Sequence, residues 1–176
     1  MPDNFEIFFS KSLYEKVFEE IIPNAKKFLW IATANLKNLH INRGRKFRPF
    51  LELIHEKITE HVNVRILHSS KPSKSFREEL KLFNDDIDYG LELFCCPRNH
   101  MKIVLADNEI MYLGSGNITG AGLGLKSDTK RNFEVGLITE DPKIIKQVAE
   151  YFDEIWMGKF CSKCKRKDIC PAPIIE

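Results

Sequence analysis

Short runs rich in β-branched and aromatic residues alternate along this chain with amphipathic stretches of helical length, and that alternation is its strongest constraint on fold. The runs 5-FEIFFS-10, 26-KKFLWIATAN-35, 62-VNVRILHSS-70, 91-LELFCC-96 and 133-FEVGLIT-139 read as strands. Between the first two, 12-SLYEKVFEEII-22 places Leu13, Val17, Phe18 and Ile21 on one helical face and stops at Pro23. Further helices are expected over 48–60, 75–84 and 142–156. Strands separated by helices that long pair through crossovers, so the expected class is α/β, with a mixed, mostly parallel β-sheet flanked by helices on both faces.

At 176 residues with 43% hydrophobic content, the chain can build one substantial core. We expect one domain over 1–158 and a Cys-rich, basic C-terminal tail over 159–176 packed on that domain. The net charge of +2 singles out no partner, so its distribution carries the argument. The segment 40-HINRGRKFR-48 holds Arg43, Arg45, Lys46 and Arg48 with no acid, 126-KSDTKR-131 is mildly basic, and 159-KFCSKCKRK-167 has no carboxylate. Each alone fits a solvated face. No secretory signal is visible at MPDNFEIFFSK, and the uncharged stretch 110–125 is too glycine-rich for a membrane span, so a cytoplasmic protein without a membrane partner is expected.

One segment concentrates polar chemistry. In 100-HMKIVLADNEIMYLGSGN-117, strand alternation sends His100 and Lys102 to one side and Met101, Ile103 and Leu105 to the other. A two-residue turn at Asp107 and Asn108 sets His100 opposite Ser115, with Asn117 on the same face. Imidazole, ammonium, hydroxyl and carboxamide beside flexible glycines suit an anion with several oxygens. Phosphodiester cleavage without a metal needs such a set: neutral imidazole to attack phosphorus, and Lys102, Asn117 and Ser115 to stabilise the nonbridging oxygens. Glu134 is the acceptor expected to hold the other ring nitrogen of His100.

The pattern H-x-K-x4-D-x6-G-S-x-N formed by His100, Lys102, Asp107, Gly114, Ser115 and Asn117 resembles the signature of the phospholipase D superfamily, and Asn132-Phe-Glu134 is similar to the element that follows it in single-motif members. The resemblance implies a phospholipase D-like α-β-α sandwich, His100 as nucleophile, Lys102 and Asn117 as phosphate binders, Ser115 as a secondary contact and Glu134 as partner of the ring. Asp107, at the turn, is expected to be structural. Family chemistry uses two histidines and this chain has one copy of the full H-x-K-x4-D-x6-G-S-x-N pattern, so a homodimer is expected to supply the second.

Small single-motif members resemble the nuclease branch, which makes nucleic acid the expected substrate and a helicase or other DNA-processing protein a possible partner. Arg43, Arg45, Lys46, Arg48, Lys165, Arg166 and Lys167 are the expected backbone-binding cations, with Phe47 and Phe160 as stacking or core residues. A phospholipid-processing phosphodiesterase or phosphatidyl transferase, or a noncatalytic nucleic-acid-binding subunit, is the alternative. No cofactor is expected for catalysis. The spacing Cys161-x2-Cys164-x5-Cys170-Pro171, with Cys95 or Cys96 as fourth donor and Cys96 preferred, points to a structural iron-sulfur cluster or zinc, against a bland reading of free buried thiols. That spacing looks like the C-terminal iron-sulfur staple of some DNA-processing exonucleases. His40, His55, His61 and His68 are assigned no role.

Overall fold

The computed structural model describes residues 5–44, 46–83 and 90–174; Arg45, the end of the expected 75–84 helix at Asn84, and the chain ends at 1–4 and 175–176 lie outside the described residues. Strand β1 (Phe5–Phe9) leads into α1, a continuous helical stretch over 11–24 that is π-helical through Glu15–Ile21. There follow β2 (Phe28–Thr33), a small hairpin of β3 (His40–Arg43) and β4 (Lys46–Pro49), α2 (Phe50–Thr59), β5 (Asn63–His68), α3 (Lys74–Leu80) and β6 (Leu91–Cys95). The chain then forms β7 (Ile103–Ala106), β8 (Ile110–Gly114), β9 (Val135–Thr139) and α4 (Pro142–Trp156).

Seven strands make one sheet in the order β1-β9-β8-β7-β2-β5-β6. The sheet is mixed, as expected, but the parallel pairings are confined to β2/β5 and β5/β6, while β2/β7, β7/β8, β8/β9 and β1/β9 are antiparallel. The reason lies in the connections: α2 and α3 carry the chain back for the parallel half, whereas the 107–109 turn joins β7 to β8 directly. The β3–β4 hairpin was not expected. It occupies the basic segment 40–48, where the sequence shows no alternation to reveal it.

Both sheet faces are covered. Alternate residues of each central strand divide between two clusters: Leu29, Ile31, Val64, Ile66, Val104 and Tyr112 pack with α1 and α2, and Ala32, Leu67, Ile103, Leu105 and Met111 pack with Ile145, Ala149 and Phe152 of α4. Helix α4 starts where the carboxylate of Asp141 accepts the N–H groups of Lys143 and Ile144, with Pro142 in the first turn. It ends where Gly158, at φ 77°, donates to Ile155 O while Lys159 N donates to Glu154 O, a Schellman closure that turns the chain into the cysteine-bearing tail. Trp30 stacks on Phe152 at 5.0 Å, and Arg65 lies over the rings of Trp30 and Trp156. Among the described residues, no helix is long and apolar enough to cross a membrane.

Candidate active site

The C-terminal ends of β2 and β8 and the N-terminal ends of β7 and β9 meet at one edge of the sheet, because β7 runs antiparallel to both β2 and β8, and β9 antiparallel to β8. His100, Lys102, Ser115, Asn117 and Glu134 all lie at that edge. What delivers them there is the hairpin turn at the opposite end. Asp107 and Asn108 both adopt positive φ, 56° and 58°, and Glu109 N donates to Ala106 O, as in the tight turn expected. Ala106 nevertheless pairs with Ile110, leaving Glu109 as an extra residue.

That extra residue corrects the expected register by one. Lys102 O accepts from Gly114 N at 3.1 Å, so Gly114, not Leu113, follows the ladder opposite Lys102, and Gly116, not Ser115, continues it opposite His100. A Cβ at Gly114 would meet Tyr112 Oη at 2.6 Å and Val135 O at 2.7 Å, so glycine there lets β8 pack against β9. The carboxylate of Asp107 accepts backbone N–H bonds from Lys26 (2.7 Å), Lys27 (2.8 Å) and Phe28 (2.8 Å), tying the turn to the start of β2. Burial acts to raise the Asp107 carboxyl, but these bonds outweigh it and hold it below the usual carboxylate range. Asp107 therefore lies at the opposite end of the hairpin from His100, with its carboxylate engaged by the backbone of residues 26–28.

Lys102 is 6% exposed, and its ammonium stands 3.1 Å from Nδ1 of His100 and 2.6 Å from the His100 carbonyl oxygen. Burial pulls it below the ordinary lysine range, opposed by the charge of Glu134. An ammonium can only donate, so Nδ1 accepts, and the ring proton belongs on Nε2.

Asn117 is locked by its oxygen. Oδ1 accepts from Ala34 N at 3.0 Å, Asn35 N at 3.3 Å and Thr33 Oγ1 at 3.3 Å. Its Nδ2 has no hydrogen-bond partner among the described residues, so the fixed amide offers two donors to a ligand. The glycine-rich passage makes this possible. A Cβ at Gly116 would sit 2.4 Å from Gly122 O, and one at Gly122 would sit 2.4 Å from Asn117 O, so the loop closes on Asn117 only with glycine at both positions.

Glu134 is arranged otherwise than the sequence suggests. Its Oε2 accepts from Ser115 Oγ in a short bond and its Oε1 accepts from Asn132 Nδ2 at 3.0 Å. The expected hydrogen bond to the ring is not formed: Nδ1 takes the Lys102 ammonium, while Glu134 accepts from Ser115 and Asn132 and keeps a lone pair on each oxygen. Ser115 correspondingly positions Glu134, with Oγ also accepting from Val135 N at 3.1 Å.

Two positioning residues escaped sequence reasoning. Asn99, 4% exposed, donates from Nδ2 to Thr33 O and Leu67 O at 3.1 Å each and accepts from Met101 N, fixing the backbone on both sides of His100. Thr33, fully buried, brings Oγ1 within 3.0 Å of Asn35 O and accepts from Ile118 N. An asparagine directly before the H-x-K was the only available signal, and one polar residue carries no pattern.

The expected basic residues divide. Arg43 pairs with Glu56 at 2.8 Å and Arg48 with Glu52 at 2.9 Å, both along α2, and Lys46 is exposed on the same hairpin. Glu56 lies toward the end of α2 from which β5 starts, whereas the site lies where β5 ends, so Arg43 is directed away from His100. Arg45 lies outside the described residues. In the tail, Arg166 donates to Pro97 O at 3.0 Å, close in sequence to His100, Lys167 donates to Ser162 O at 2.9 Å, and Lys165 is exposed. Phe47 and Phe160 are both exposed rather than core.

All five cysteines are free thiols. Cys96, Cys161, Cys164 and Cys170 line one cavity, while Cys95 turns its Sγ toward Ser69 O at 3.8 Å. Among the described residues, no group of three or more His, Cys, Asp or Glu side chains is placed to hold a metal ion.

A family model described as cardiolipin synthase, PLD-like domain, matches residues 18–156. No curated protein matches the chain. Among solved structures, the chain is similar to NucT from Helicobacter pylori, at 17% identity and a TM-score of 0.64, covering 87% of this chain and 95% of that one. It is similar to Nuc from Salmonella typhimurium, described as a phospholipase D family member, at 17% identity and 0.62, covering 87% and 93%. It is also similar to phosphatidylserine synthase from Haemophilus influenzae Rd KW20, at 18% identity and 0.58, covering 86% and 38%. At such identities the likeness speaks to the fold.

Proposed function

The chain belongs to the phospholipase D-like family, and from that membership we propose that it is a phosphodiesterase that cleaves nucleic acid through a phosphohistidine on His100, assisted by no metal ion. The observation that carries this reading is the convergence, at one sheet edge, of the His100 ring, the Lys102 ammonium 3.1 Å from it and the unengaged amide of Asn117. The ligand set argues for cationic rather than metal-borne charge stabilisation. Glu134 is the one carboxylate of the candidate set at this edge, and Ser115 and Asn132 engage both of its oxygens.

In the resting arrangement Lys102 donates to Nδ1, which leaves Nε2 protonated and unable to attack. A phosphodiester entering the site draws the ammonium and the Asn117 amide onto its nonbridging oxygens. Nδ1 is then released, and with Glu134 as acceptor the proton moves to Nδ1, exposing the Nε2 lone pair for attack on phosphorus. The P–N bond forms as the P–O ester bond breaks, and the departing oxygen takes a proton from a second imidazole. Water later hydrolyses the phosphohistidine.

One copy of the full motif per chain supplies one imidazole, so the second comes from another copy of this chain across a twofold axis. The surface beside the site supports such an assembly: Phe9 pairs with Val135 at the edge, and Phe9, Phe133 and Val135 are exposed, Phe133 to 98%.

Nucleic acid is preferred as substrate for two reasons. The basic tail is docked beside the loop that leads into His100, through Arg166 and Pro97. The chain also matches nearly the whole length of NucT and Nuc but only 38% of phosphatidylserine synthase. The family model's description favours phospholipid as a second reading. Unpaired cysteines support a cytoplasmic setting. Incubation of labelled DNA, RNA and phospholipid vesicles with wild type and His100→Ala in EDTA tests the proposal. Nucleic-acid cleavage by wild type alone is expected. Phospholipid turnover alone, binding without cleavage, or strict magnesium dependence would overturn it.

A further inference from the structure

Beyond the active site, the cavity between the tail and the β6–β7 loop is the feature of the molecule that phosphodiester chemistry leaves unused. It measures about 160 Å³, and four thiols stand in its wall: Cys96 from the end of β6, and Cys161, Cys164 and Cys170 from the tail. Phe94, Tyr151, Ile155 and Phe160 supply an apolar shell, and Arg98 and Lys167 supply positive charge. Strand alternation allows only one of the adjacent pair Cys95 and Cys96 to face this space, and it is Cys96 that does so.

We propose that these four cysteines ligate a [4Fe–4S] cluster seated in this cavity, a site independent of the phosphodiesterase reading. Two observations, set against the geometry of each kind of site, favour a cluster over a single ion. Tetrahedral zinc lies about 2.3 Å from each sulfur, which draws four thiolates together and leaves no cavity among them. Here no three thiols are placed to hold one ion, yet four surround a common space. A cluster held by four cysteine thiolates fills such a space.

The tail is also folded as a ligand-bearing segment. Cys164 N donates to Cys161 O at 3.0 Å, closing a turn across the C-x2-C, and Arg166 N donates to Cys164 Sγ at 3.4 Å. Backbone N–H groups aimed at cysteine sulfur are among the devices that tune cluster sites. Arg166 in turn reaches Pro97 O, and Cys170 Sγ lies 4.0 Å from Cys95 O, so both halves of the ligand set are already held against each other. Arg98 and Lys167 offset the negative charge that four thiolates bring. The cluster clamps the tail onto the loop 96–99, whose last residue, Asn99, fixes the backbone at His100.

The test is composition of the full chain purified without oxygen. The proposal predicts about four iron and four acid-labile sulfide per chain, with broad visible absorption. Cys96→Ser, Cys161→Ser, Cys164→Ser and Cys170→Ser each lose most of the iron, while Cys95→Ser keeps it. Wild-type analysis decides the matter even where a variant fails to fold. Iron-free protein with five titratable thiols, stoichiometric zinc in place of iron, or equal iron loss in Cys95→Ser and Cys96→Ser would overturn it. None of these readouts depends on phosphodiesterase activity.

Discussion

The ammonium of Lys102 caps Nδ1 of His100 at 3.1 Å, so the residue proposed to bind phosphate also keeps the ring proton of the proposed nucleophile on Nε2. Lys102→Met retains the buried stem and removes the charge. Turnover should fall about 100- to 1,000-fold, as for loss of one transition-state donor. Because burial sets Lys102 below the ordinary lysine range, activity should decline on the alkaline side before pH reaches about 10.4. The deprotonated lysine is the inactive form, so Lys102→Arg, which retains its charge, should remove that alkaline limb from the pH profile of whatever activity remains.

Asn117→Asp separates scaffold from chemistry. The aspartate keeps an oxygen to accept from Ala34 N, Asn35 N and Thr33 Oγ1, and replaces the free NH₂ with a second oxygen. The fold should survive, with a melting temperature close to wild type. Cleavage should fall at least as far as in Lys102→Met, because the new carboxylate repels the phosphate. A drop in stability as large as the drop in rate would assign Asn117 to the scaffold alone.

Asp107→Ala leaves three backbone N–H groups without their acceptor. The expected cost is about 1.5–3 kcal/mol, measured by urea unfolding. The carboxyl is held below its unfolded value of about 3.9. Its stabilisation is therefore complete above that pH and disappears as pH falls through the folded value. The gap between wild type and variant should be constant near neutrality and close in acid.

Gly116→Ala and Gly120→Ala discriminate two kinds of glycine. A Cβ at 116 meets Gly122 O at 2.4 Å, while one at 120 finds ordinary contacts of 3.6 Å and beyond. The first substitution should cost about 1–3 kcal/mol and displace Asn117, lowering activity. The second should leave both thermal stability and rate near wild type.

Much of this was legible in the sequence, for reasons visible in particular residues. Helix α4 matches its expected 142–156 because Asp141 and Pro142 mark its start and Gly158 follows its end. Strand alternation put Ile103 and Leu105 on the side opposite Lys102, which is the face that α4 covers, and the H-x-K spacing put Lys102 on the same side as His100. The register was misread by one because a bulge at Glu109 has no marker in a run where Asp-Asn already signals a turn. The β3–β4 hairpin was hidden by its charge, and its Arg43 and Arg48 pair with α2, since only tertiary packing decides where Glu52 and Glu56 stand. Asn99 and Thr33 act through single buried hydrogen-bonding groups, which leave no periodic trace.

The central claim is that His100 becomes covalently bonded to phosphorus. Acid-free quenching during turnover of labelled oligonucleotide in EDTA, followed by peptide mass analysis, tests it most directly. The account predicts a phosphoryl-linked adduct on the peptide carrying His100, absent in His100→Ala. Cleavage without any adduct at His100, or an adduct on another residue, would contradict it.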